Sequence, residues 1–159
     1  MATVQDVASY ILRERGAMSA MKLQKLVYYS QAWHLVWAEE PLFDAEIEAW
    51  ANGPVVRELF NTHRGRFNVS APWPKGDADA LTKYERGTID AVLSTYGELS
   101  GRTLSQLTHD EAPWREARQG LSPTDRSSVP VDLDRMQDFY SGLDLDEEAM
   151  LVKDLPRGD

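Results

Sequence analysis

No cysteine occurs in the chain of 159 residues, which removes disulfide frameworks and thiolate metal sites from consideration. No apolar run is long enough to span a bilayer. The start, MATVQDVASY, lacks the basic segment and apolar stretch of a secretory signal. Membrane insertion and export are therefore not expected, and the cytoplasm is the expected compartment. The GxSxG turn of serine hydrolases, a glycine-rich phosphate loop and an HExxH pair are all missing. Basic charge is in deficit, with 17 Lys and Arg against 26 Asp and Glu and a net charge of −9. Nucleic acid is disfavoured as a direct partner, because affinity for it rests largely on neutralising phosphates.

What the chain does contain is organised around Ser19 to Ala38, SAMKLQKLVYYSQAWHLVWA. Leu23, Leu26, Val27, Ser30, Trp33, His34 and Trp37 fall at helical spacing on one broad face. Tyr28, Leu35 and Val36 extend the apolar surface, and Ser19 suits the N-cap. A helix apolar nearly all round is normally buried on most sides, so this one is expected to be the centre of the core. Lys22, Gln24, Lys25 and Gln31 are its clearly polar positions. Two lysines at a helix start meet the positive end of the helix dipole, so they require a carboxylate neighbour or solvent. Solvation is the commoner outcome.

The predicted fold is mainly α: a compact helical domain around this helix, with at most a small β hairpin or short strands. Thr3 to Arg15 reads as an amphipathic helix with a Thr3/Asp6 capping box, ended by Gly16. Leu42 to Trp50 alternates with period two and suits a short strand. Asn52-Gly53-Pro54 is turn chemistry, and Pro54 is expected to open a helix carrying Val55, Val56, Leu59 and Phe60. Arg66 to Leu81, with Pro72, Trp73, Pro74 and Gly76, reads as a surface loop with a short extended piece at Phe67 to Val69. Helices are expected over Thr82–Leu99, after Ser100, at a Pro113-initiated turn carrying Trp114, and over Val131–Gly142. Residues 1–142 are expected to form the domain and 143–159 an acidic tail. From Asp132 to Asp159 nine acidic and three basic residues give a net −6, a charge that would steer a basic protein partner toward this end. Disorder, or order gained against a partner, are the two outcomes open for the tail.

The histidines His34, His63 and His109 have no metal-ligand spacing, and neither a metal nor a cofactor is expected. His34 suits a core position with a hydrogen-bond partner. His109-Asp110, beside Glu111, could carry acid–base chemistry of a hydrolase, but no nucleophile motif accompanies it. Capping of the Pro113 turn by Thr108 or Asp110 is the simpler structural reading.

Three stretches carry a family resemblance. They are MKLQKLVYYSQAWH over Met21–His34, Phe43-Asp44 followed by EAWANGPVV over Glu48–Val56, and Leu107-Thr108-His109-Asp110 with Pro113-Trp114. In this order and spacing the chain resembles the Panacea domain of the SocA-like antitoxins, over roughly Val4 to Tyr140. The resemblance implies a mostly helical, non-enzymatic antitoxin that neutralises a cognate protein toxin by direct contact, with the toxin expected to be encoded next to it. Family members meet very different toxins, toxic alarmone-synthetase relatives among them. One branch resembles a delivery adaptor that hands its toxin to a ClpXP-type protease. No helix-turn-helix segment is expected outside the shared region. The candidate toxin-binding residues are Trp50, Asn52, Gly53 and Pro54 of the turn, His109, Asp110 and Trp114, and the tail carboxylates Asp144, Asp146, Glu147 and Glu148.

Overall fold

Thr3 accepts a hydrogen bond from the Asp6 N–H and Asp6 accepts one from the Thr3 N–H, and this reciprocal cap starts α1 (Val4–Arg15). Gly16, at φ 82°, ends it. The computed structural model describes residues 1–159. A two-residue strand, β1 (Met18–Ser19), leads into the long helix α2 (Ala20–Ala38), whose first turn is capped by the Ser19 hydroxyl on the Lys22 N–H. Fifteen of its nineteen residues are buried.

The expected hairpin is present. Strand β2 (Ile47–Trp50) pairs antiparallel with β3 (Gly53–Val56) in the register Ile47↔Val56 to Trp50↔Gly53, leaving Ala51-Asn52 as a two-residue turn. Gly53 sits at φ 117°, which favours glycine. The helix expected from Pro54 does not start there: Pro54, Val55 and Val56 are strand, and α3 (Arg57–His63) begins three residues later. The reason is tertiary. Gln24 on α2 accepts from the Val56 N–H at 2.9 Å and donates to the Val56 carbonyl at 3.2 Å, which holds that backbone extended.

The stretch read as a surface loop is also partly internal. Within it, β4 (Asn68–Val69) pairs with β1. Trp73 is buried and donates to the Gln5 side chain at 2.8 Å, and Ala78 and Leu81 join the core. Four further helices complete the domain before the tail: α4 (Lys83–Tyr96), α5 (Gly101–His109), α6 (Ala112–Ala117) and α7 (Leu133–Ser141). Glu111 occupies the cap position of α6 without a side-chain capping bond, Asp110 ends α5, and the Thr108 hydroxyl donates to Ser105, so neither Thr108 nor Asp110 caps α6.

Helices α1, α4, α5 and α7 surround α2, so the architecture is mainly α around one buried helix, with two small two-stranded sheets. The inner seam is aromatic: Tyr29 stacks on Tyr96 at 4.1 Å, and Trp33 donates to the Tyr96 hydroxyl. In the acidic C-terminal stretch, Asp144 caps α8 (Leu145–Val152), which packs on α4 and buries Val152. Pro156 to Asp159 then lie across the start of α5, accepting from the N–H groups of Ser100 and Gly101 and from the Thr103 hydroxyl. No helix is long and apolar enough to cross a membrane.

Candidate functional site

The hairpin tip is held from α2, α5, α6 and the segment after α6, and most of the grips on it are taken on the main chain. From α2, Gln24 pairs with both polar groups of Val56, and Lys25 Nζ donates to the Pro54 carbonyl at 3.3 Å. From α5, the Ser105 hydroxyl donates to the Asn52 carbonyl. From α6, Trp114 Nε1 donates to the Trp50 carbonyl at 2.8 Å. Arg118, just after α6 and 4% exposed, donates to Ala49 and to the carbonyls of Ser122 and Asp125. The outer edge of β2 is covered by Val129 to Val131, with Ala49 donating to Val129 and Val131 to Ile47, each at 2.8 Å. Gln31 does the same two turns further along α2. Its amide accepts from the Leu42 N–H at 2.6 Å and donates to the Phe43 carbonyl at 2.9 Å, which fixes the segment entering β2. Each such bond matters because an unpaired buried backbone group costs about 1–3 kcal/mol.

Gly53 explains why two distant motifs belong together. A Cβ at this position would stand 2.6 Å from Lys25 Cε. The lysine stem thus runs beneath the glycine, and its amine reaches the next carbonyl. Lys25 is 1% exposed. Burial pulls its pKa down to about 7, and no carboxylate opposes that shift. The expectation of a solvated or carboxylate-paired lysine is therefore corrected at Lys25. Lys22 is buried too, with Nζ on the Gly158 carbonyl.

His109 stacks on Trp114 with ring centroids 4.1 Å apart. Burial, then the nearby Lys25, lowers its pKa below the ordinary imidazole value. Its Nε2 is buried without a partner, while Asp110 is exposed. His109 and Trp114 therefore form a packed wall of the tip, with Asp110 exposed beside them. The other histidines are held apart from it: His34 on the Thr88 hydroxyl and His63 on the Gln24 amide, each at 2.9 Å. Deeper in, Glu111 accepts from Tyr29 at 2.8 Å and Tyr140 at 2.7 Å. Burial nevertheless raises its pKa to about 7.

Beside the tip lies an open groove of about 620 Å³, lined by Trp50, Asn52, Arg57, Phe60, Arg64 and Arg126 among others. Arg57 grips Glu48 through Nε at 3.0 Å and Nη2 at 2.8 Å, and Trp50 Nε1 donates to the same carboxylate at 2.8 Å. Burial pushes the Glu48 carboxyl up, but these bonds outweigh it and its pKa falls below the ordinary value. The Arg57 guanidinium lies over Trp50 and that of Arg64 over Phe60.

Of the sequence-predicted residues, the fold brings Trp50, Asn52, Gly53, Pro54, His109 and Trp114 into one cluster. Trp50 is half-buried, Asn52 is exposed at the turn, and Gly53, Pro54 and Trp114 are buried. The four tail carboxylates sit apart on α8, none of them lining the groove; Asp144 is spent on capping, Asp146 and Glu147 are exposed, and Glu148 is half-buried with its pKa raised by burial and by Glu147. Sequence reasoning missed Gln24, Lys25 and Gln31 as clamps, and Arg57, Arg64, Arg118 and Arg126 entirely. For the clamps a signal existed: a polar side chain on a helix that is apolar all round has to find a buried partner.

A family model described as antitoxin SocA-like, Panacea domain, matches residues 23–115. That span contains α2 with its clamps, the hairpin, the lining residues from α3, and the α5–α6 wall up to Trp114. No curated protein and no solved structure matches the chain.

Proposed function

The chain belongs to the family of SocA-like antitoxins with a Panacea domain, and from that premise we propose that it neutralises a cognate protein toxin in the cytoplasm by binding it directly. The observation that supports this reading best is the preorganised hairpin tip. A rigid hairpin tip loses little conformational entropy on docking. Trp50 and Asn52, with the Arg-lined groove beside them, offer the aromatic and arginine anchors that dominate protein interfaces. Gly53, Pro54, His109 and Trp114 act beneath the surface, holding the tip in shape, while Asp110 stands at its rim. The carboxylates of Asp144, Asp146, Glu147 and Glu148 form a second, acidic face that steers a basic region of the toxin.

Co-expression with the product of the neighbouring gene tests the reading. The expected result is a toxin that arrests growth alone and is harmless in a co-purifying complex with this protein. A non-toxic neighbour, or toxicity unaffected by this protein, refutes it. Toxin half-life in the same cells separates occlusion from delivery to a ClpXP-type protease, since occlusion leaves the half-life unchanged. Protection that survives His109→Gln argues against a hydrolase built on His109 and Asp110.

A further inference from the structure

We infer that the groove beside the hairpin tip seats a carboxylate-bearing segment of the partner toxin, an inference that rests on the antitoxin reading and adds to it the chemistry of the contact. Three guanidiniums converge there, two from α3 and its end and one from the loop after α6. Arg57, Arg64 and Arg126 are all exposed. Arg57 holds Glu48 with Nε and Nη2, and its Nη1 makes no hydrogen bond. Arg64 and Arg126 have no carboxylate within salt-bridge distance, and this in a chain with 26 acidic residues. In a protein of net charge −9 the groove is thus a local inversion of sign, and an acidic partner segment is repelled by most of the surface and admitted here.

The aromatic rings decide which anion fits. Arg57 covers Trp50 at 5.2 Å and Arg64 covers Phe60 at 5.4 Å, while Trp50 and Phe60 meet edge to face at 4.9 Å. Stacking orders the guanidinium forks before any ligand arrives, and such planar forks match carboxylates two bonds at a time. The same stacking occupies ring faces on which a nucleobase would lie. The trough is open and shallow, unlike the enclosed pocket that surrounds most of a small molecule, and its far wall is the irregular Arg126 to Ser128 segment. These features favour an extended acidic stretch of polypeptide over a nucleotide.

The test is the double charge reversal Arg64→Glu with Arg126→Glu, two exposed positions, checked for an unchanged thermal melt and titrated calorimetrically with the neighbouring gene's toxin. The expected result is a loss of toxin affinity of about tenfold or more. Affinity of the wild-type protein should fall more steeply between low and high salt than that of the variant. Wild-type affinity in the variant overturns the inference and leaves the antitoxin reading standing. Binding of ATP or GTP to the wild type that the variant loses also overturns it, in favour of a nucleotide site. A wild-type protein that neither binds nor neutralises the toxin fails the antitoxin reading itself, and this inference with it.

Discussion

Lys25 gives the sharpest quantitative test of the structure. Its ammonium is buried beneath the hairpin tip with one long hydrogen bond to the Pro54 carbonyl and no counter-charge. Burial lowers the pKa from 10.5 to about 7. A lowered lysine pKa means that the folded protein holds this proton less well than the unfolded chain. Between the two values the unfolded state binds more protons, so stability rises with pH across that window and flattens below it, where both states are protonated. At about 1.4 kcal/mol for each pH unit, the gain between pH 7 and pH 10 integrates to about 3.5 kcal/mol. Replacement by methionine, Lys25→Met, keeps a flexible stem under Gly53 and removes the titration. Urea denaturation of both proteins at intervals from pH 7 to pH 10 isolates the effect, because tyrosines and surface groups cancel in the difference. Wild-type stability should gain on the variant by that amount as the pH rises. Parallel stability profiles would refute the burial of a charged lysine at this site.

Three further outcomes follow from other contacts. Burial raises the Glu111 pKa from 4.5 to about 7, so its contribution is fully present below the ordinary value and is lost as pH rises toward 7; Glu111→Gln should abolish a stability decrease of about 2 kcal/mol between pH 5 and pH 7, read by the same denaturation series. Gly53→Ala places a Cβ against Lys25 at φ 117° and should destabilise by about 2 kcal/mol; a thermal melt equal to wild type would contradict the close approach. Trp114→Phe removes the donor to the Trp50 carbonyl and should lower stability by about 2 kcal/mol while weakening toxin binding, measured by denaturation and calorimetry on the same sample.

The buried helix was legible because its signal is local: Leu23, Leu26, Val27, Trp33 and Trp37 repeat at helical spacing whatever surrounds them. That Gln24 and Gln31 need buried partners was legible, but which partners was not, because these are main-chain atoms of Val56, Leu42 and Phe43, which composition and periodicity never encode. The same non-local clamp converts Pro54 to Val56 from the expected first turn of a helix into a strand. At the site, the Asn52-Gly53-Pro54 turn and the His109 to Trp114 stretch could be picked out separately, but only the chain's path joins them. The arginines were invisible as a set, since Arg57 and Arg126 are far apart in sequence and meet only across the tip. The helix at Leu145–Val152 did leave a trace: Asp144 stands at the cap, with Leu145, Ala149 and Val152 in helical register behind it.

The grips on the hairpin tip close mainly on carbonyls and amides of residues 49–56. Apart from Gly53, which has no room for a side chain, and Trp50, which Glu48 holds, the tip's shape depends little on which side chains it carries. Asn52, Arg64 and Arg126 stand outside that frame: all three are exposed and none lends it a hydrogen bond from its side chain. Substitution there costs the hairpin little, whereas Arg57 and Arg118, which hold Glu48 and Ala49, are not free to change.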